Sequence, residues 1–312
     1  MPDFLKRKKD KNIIILKSTR PNECGGTDAT LDKSAPKEIK SEDIVLFDVT
    51  SALGFVVGDS GAKAEKFSDI QYISAFASKC GENAFLFLQT ASSHRADPEA
   101  PVFSLVKGNI FPELDAIVKK YDLAKQNGYN STTHGLPENF GGGVKIVYSS
   151  GERISFSDNQ CPVLPRGAAR ETAKLIDSYL KRESIAAPDV SALKKIVFEE
   201  KREGGFTKAT LSFLPDGTAT NKKASQYDGG DIYESEKPVD AKTVLAVKSS
   251  IKDNGLLLWN RLPKNEYALE RGKSLTFVFE NGKEITVTND RALPESLSGG
   301  FFCIELEMTT KN

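Results

Sequence analysis

A pattern that occurs twice constrains this chain more than any other feature of it. In the first copy, Leu114, Ile117, Val118 and Tyr121 follow the spacing of an amphipathic helix, and Asn127-Gly128 offers a left-handed stop. In the second, Ala241, Val244, Leu245 and Ile251 share a face, Asp240 is a candidate N-cap, and Asn254-Gly255 closes the helix. Both copies then reach Leu-Pro, at Leu136-Pro137 and Leu262-Pro263, and continue into alternating residues that read as a hairpin. Ser150-Gly151 and Asn281-Gly282 sit at equivalent turn positions. Ile154, Phe156, Ile285 and Val287 point to one face, while Ser155, Ser157, Thr286 and Thr288 point to the other. An Asp158-Asn159 or Asn289-Asp290 pair ends each hairpin.

Upstream, the two copies match more loosely. Ile44–Thr50 resembles Lys195–Lys201 as an opening strand, and Asn83–Gln89 resembles Thr207–Phe213 as a second. The spacing leaves an insertion near residues 51–78 in the first copy, with a further strand at Ile70–Phe76. Ala168–Arg182 predicts an amphipathic helix that only the first copy carries, and Phe301–Met308 predicts a C-terminal strand for the second. Short turns between strands exclude a doubly wound parallel sheet. The predicted class is therefore α+β: two tandem related modules, each a mostly antiparallel sheet with a covering helix. The expected divisions are a mobile basic segment at 1–36, a first module at 37–184, a linker at Ser184–Val190, and a second module at 191–312. Ile13–Leu16 is the part of the first segment able to form a strand.

Composition narrows the function classes. The 312 residues carry 43 basic and 43 acidic side chains, which argues against a dedicated nucleic-acid binder. No apolar run is long enough for a transmembrane helix. Four scattered cysteines, Cys24, Cys80, Cys161 and Cys303, lack metal or redox spacing and read as reduced thiols. Ile13–Leu16 is too short for a secretory core, so the expected compartment is the cytoplasm. Phe4 and Leu5 beside Lys6–Lys11 suggest a weak affinity for anionic surfaces, against the simpler reading of a solvated tail.

The chemistry-bearing motifs are thin. Gly58-Asp-Ser-Gly61 resembles the nucleophile loop of trypsin-like serine proteases, but His94 and His134 both follow Ser60 and reverse that family's order. Gly272-Lys273-Ser274 matches the tail of a phosphate loop, yet Tyr267 stands where a glycine is needed and a strand follows. Gly141-Gly142-Gly143 also precedes a strand, so close hairpin packing fits it better than a lid. His94, Asp97, His134, Cys80 and Cys161 show no metal-ligand spacing; no metal and no cofactor is expected.

Asp158 and Asp290, at near-equivalent hairpin ends, are the candidate acids, with an Asx-turn role as the structural alternative. Trp259 and Tyr267 are the candidate lining of a sugar or peptide groove, against a core role for the tryptophan. The sequence thus points to a non-enzymatic two-module protein binding a protein or small molecule between the modules. A hydrolase working through carboxylates in that groove is the alternative.

Overall fold

Period-two alternation of buried and open residues builds most of the molecule. A computed structural model describes residues 12–17, 27–54, 67, 69–92, 98–135, 140–264 and 272–310. The chain divides into two compact units, Met1–Ile185 and Ala186–Asn312.

Unit 1 opens with β1 (Ile13–Lys17) and β2 (Thr27–Asp32), then a meander of β3 (Ile44–Ala52), β4 (Ile70–Cys80), β5 (Asn83–Ser92) and β6 (Val102–Lys107). There follow α1 (Phe111–Lys120), β7 (Tyr129–Thr133), the hairpin β8 (Gly142–Tyr148) and β9 (Arg153–Asp158), α2 (Arg166–Leu180) and β10 (Ser184–Ile185). The ten-stranded sheet runs β1-β2-β7-β9-β8-β3-β4-β5-β6-β10. Among the described residues its one parallel pair is β7 with β9. Helix-side residues such as Phe47, Val49, Leu86 and Phe156 bury against Phe111, Leu114 and Ile176. Each such side chain contributes about 2 kcal/mol when removed from water. The intervening residues Phe76, Phe85 and Phe87 are buried on the opposite face. There Phe76 meets Phe85 edge-on at 6.1 Å and Phe103 stacks on Phe85 at 6.2 Å.

Unit 2 comprises the meander β11 (Leu193–Arg202), β12 (Gly205–Phe213), β13 (Ala219–Gln226) and β14 (Tyr233–Val239), then α3 (Ala241–Asp253), the hairpin β15 (Lys273–Phe279) and β16 (Glu284–Thr288), and α4 (Glu295–Thr309). Its six-stranded sheet runs β14-β13-β12-β11-β15-β16. The apolar rows Ile196, Phe198, Leu275 and Phe277 are buried, while the opposite face is mostly polar, with Val197 and Val278 among its residues. That open face is tied by Glu199–Lys208 at 2.8 Å, Lys222–Glu236 at 3.1 Å and Thr276–Thr286 at 2.9 Å.

Several details occur in both units. The strand orders β9-β8-β3-β4-β5-β6 and β16-β15-β11-β12-β13-β14 have the same connectivity. The opening strand slips register against the hairpin at its first residues, at Ile44/Leu46 and at Leu193/Lys195. The hairpin reaches back to the residue before that strand: Ser149 N–H donates to the Asp43 carbonyl and Glu280 N–H to the Ala192 carbonyl, each at 2.9 Å. Gly151 and Gly282 hold the turns at φ 85° and 79°, where a side chain would be strained. Pro165 and Pro294 each stand at the N-cap of a 15-residue helix.

Four sequence expectations need correction. Phe301–Met308 is helical, not a strand, and unit 2 therefore also ends in a helix. Ile304, Leu306 and Met308 alternate with acids and mimic a strand, but Phe301, Ile304 and Met308 are the buried set, at helical spacing. The strand predicted inside an insertion is β4, the second strand of the meander, so β4 rather than β5 corresponds in order to β12. Helix α1 ends before Asn127-Gly128: Asp122 takes the left-handed position at φ 54°, as Gly255 does after α3 at φ 60°. Within the segment 1–36, Thr27–Asp32 forms β2 beside β1. Leu136-Pro137 and Gly58–Gly61 lie outside the described residues.

Candidate functional site

Asp158 terminates β9 and accepts hydrogen bonds from Gln160 N–H and Cys161 N–H, both at 2.8 Å. This is the Asx-type turn that steers the chain toward α2. The next residue, Asn159, grips β7 through Thr133, accepting from its N–H at 2.7 Å and donating to its carbonyl at 2.9 Å. Asp290, in unit 2, accepts from the Thr288 hydroxyl and pairs with Lys264 Nζ at 3.2 Å. Burial pushes its carboxyl up, but the Thr288 hydrogen bond and the Lys264 and Arg291 charges outweigh that and hold it below the usual range. A general acid needs the opposite shift.

Trp259 is 1% exposed, lies in the 3-10 turn after α3, donates Nε1–H to the Asn254 carbonyl at 3.0 Å, and stacks on Phe301 at 6.5 Å. It is a core residue with its polar atom satisfied. Tyr267, His94 and Asp97 lie outside the described residues. His134 Nε2 sits 3.0 Å from Asp28 on the surface. Among the described residues no group of three His, Cys, Asp or Glu is placed to hold a metal. No described helix is long and apolar enough to cross a membrane.

Gly141 and Gly142 lie hard against neighbouring backbone, whereas a Cβ on Gly143 would find nothing closer than 3.9 Å. A Cβ on Gly141 would fall 1.8 Å from the Asp158 carbonyl oxygen, and one on Gly142 would fall 1.9 Å from that of Thr50.

The structure assembles an ionic cluster that the motifs did not reveal. Glu200 on β11 lies opposite Lys273 on β15, and Lys273 also pairs with Glu305 on α4. Arg202 holds the other oxygen of Glu200. The Glu200 side chain is only 8% exposed. Burial pushes its carboxyl up, but the Arg202 hydrogen bond and the Lys273 charge prevail and keep it below the usual glutamate range. The only sequence signal is register: Ile196, Phe198 and Glu200 occupy one inward row, so an acid stands where an apolar residue is expected.

Nearby, Asn221, Lys223 and Lys237 donate to the Met308, Thr309 and Thr310 carbonyls at 2.9, 2.6 and 3.3 Å. These bonds satisfy the open end of α4, and the cations oppose its dipole. A cleft of about 120 Å³ beside this end is bounded by Leu211, Val239, Thr243, Val247 and Glu307. It is smaller than the pockets that usually hold a drug-sized ligand. The cluster is thus a clamp between α4 and the sheet. No family model matches the chain, and no curated protein matches it.

Proposed function

We propose that the chain is a non-enzymatic binding or interaction protein of the cytoplasm, built from two tandem related modules, whose partner is a protein or a small molecule. The observation that carries the reading is the employment of the carboxylates. Asp158 caps a loop, Asp290 is ion-paired and held ionised, and Glu200 is committed to Arg202 and Lys273. The one hydroxyl among these contacts, Thr288 on Asp290, lies two residues away in the same turn, and none of the three carboxylates is paired with an acid of raised pKa. Relatedness of the modules is supported by the common strand order, the register slip at Ile44 and Leu193, and the matching hairpin bonds to Asp43 and Ala192. Free thiols at Cys161 and Cys303 are consistent with a reducing compartment.

Turnover tests the reading. Purified full-length chain is incubated with chromogenic glycosides, esters and phosphoesters from acid to alkaline pH. The expected outcome is no product above the buffer blank. A rate that drops about tenfold or more in Asp158→Asn or Asp290→Asn would establish the carboxylate hydrolase instead.

A further inference from the structure

We propose that the outer face of α4 is a self-association surface, on which two copies of the chain pair antiparallel about a two-fold axis, Leu306 of each seated over Gly299 of the other. This goes beyond the reading above and does not depend on it, because it rests on one helix of unit 2 alone.

Helix α4 is apolar on two sides. Leu297, Phe301, Ile304 and Met308 form the buried row. Gly299, Phe302, Cys303 and Leu306 form a second row, at i, i+3, i+4 and i+7, and all four are exposed. Phe302 is 56% exposed and Leu306 42%, and Cys303 is a free thiol. A Cβ on Gly299 would meet nothing within 4 Å, so the row holds an open notch. Helix α2 of unit 1, also 15 residues long behind a proline N-cap, shows what a solvated face carries. Counted from the two prolines, three of these four positions in α2 hold Arg170, Lys174 and Asp177. A helix that is apolar all round is normally buried, and an exposed apolar stripe marks a contact surface.

Shape and charge select a second copy. Along the stripe the order is small, large, small, large. Laid antiparallel, the Gly299 notch of each helix faces Leu306 of the other, Phe302 meets Phe302, and Cys303 lies beside Cys303. Parallel pairing would set glycine on glycine and leucine on leucine, a gap at one end and crowding at the other, with the two dipoles aligned. Glu307 is exposed at the C-terminal end, where its own helix dipole repels it. In the antiparallel pair it lies beside the positive first turns of the second copy. The helix carries Glu295, Glu305 and Glu307 and no lysine or arginine, which disfavours an anionic membrane as the occupant. Four side chains cover less than the roughly 800 Å² per partner of a standard interface, so the dimer is weak and concentration-dependent. With the helix axes about 8–9 Å apart, the Cα atoms of the two Cys303 residues come about 5–6 Å apart, within reach of a disulfide.

Sedimentation equilibrium of the reduced full-length chain tests this. The expected outcome is a monomer–dimer equilibrium with a dissociation constant on the order of tens of micromolar. Phe302→Glu should weaken it about tenfold or more, by placing a charge at the centre of the contact. Gly299→Leu, which fills the notch, should weaken it as well. Leucine favours a helix more than glycine does, so that loss cannot come from unfolding of α4. Mild oxidation with diamide should link the dimer through Cys303, and Cys303→Ser should remove the link while the reduced dimer persists. A chain that stays monomeric at millimolar concentration overturns the proposal. So does a dimer that both Phe302→Glu and Gly299→Leu leave intact, or an oxidised dimer joined through another cysteine with Cys303 still reduced.

Discussion

Position by position, the two units solve one problem with different residues. Ser51 lies opposite Gly142, and its hydroxyl accepts from Val163 N–H at 3.2 Å, anchoring the approach to α2. Counted from the register slip, Glu200 is its counterpart. Glu200 lies opposite Lys273 and anchors α4 through Glu305. A neutral hydroxyl does this at any pH; a carboxylate does not. Because the Glu200 pKa is lowered in the folded chain, its contribution is complete above the unfolded value of about 4.3 and is lost as pH falls through the folded one. Glu200→Gln should therefore cost about 2 kcal/mol near neutrality, since Arg202 loses its carboxylate while Lys273 keeps Glu305. Thermal unfolding of both proteins checks the sign: the difference in Tm should shrink as the pH is lowered below 4. An equal difference at both ends of that range would mean that the side chain acts by packing alone.

Several elements were legible from a local signal, although Asn127-Gly128 misplaced the end of α1. Asn281-Gly282 between alternating residues located the β15–β16 hairpin, Asp240 and Asn254-Gly255 bracketed α3, and β-branched Ile13–Ile15 announced β1. Helix α4 was not legible, because Gly299-Gly300 breaks its helical pattern and its last turns alternate like a strand. What makes it a helix is tertiary. Its buried residues Phe301, Ile304 and Met308 pack inward, and Asn221, Lys223 and Lys237 receive its final carbonyls. The same reason hid the ionic cluster, whose members come from three elements far apart in the chain. Lys223→Met should cost about 1 kcal/mol by removing both a hydrogen bond and a cation from the end of α4. Amide exchange should quicken in the last turn of α4 and stay unchanged in α3; equal acceleration in both helices would place the lysine's role elsewhere.

At the scale of the molecule, the division into two compact units has a thermodynamic counterpart. Chains with two cores commonly unfold in more than one step, and here the steps carry different labels. Trp259, the only tryptophan, is buried in unit 2, so its emission reports that unit alone, while far-ultraviolet circular dichroism reports strands and helices throughout. Gly142 offers a lesion confined to unit 1. Any side chain there meets the Thr50 carbonyl within 2 Å, so β3 and β8 must part locally. Gly142→Val should destabilise unit 1 by about 3 kcal/mol, a value set by overpacking. In urea, the dichroism transition should broaden and begin at lower denaturant, while the midpoint followed by Trp259 holds still. The converse substitution, Phe301→Ala, removes the ring stacked on Trp259 and should move the fluorescence midpoint first. If Gly142→Val instead shifts both probes together by the same amount, the two cores melt as one cooperative body, and neither unit counts as a separate folding unit.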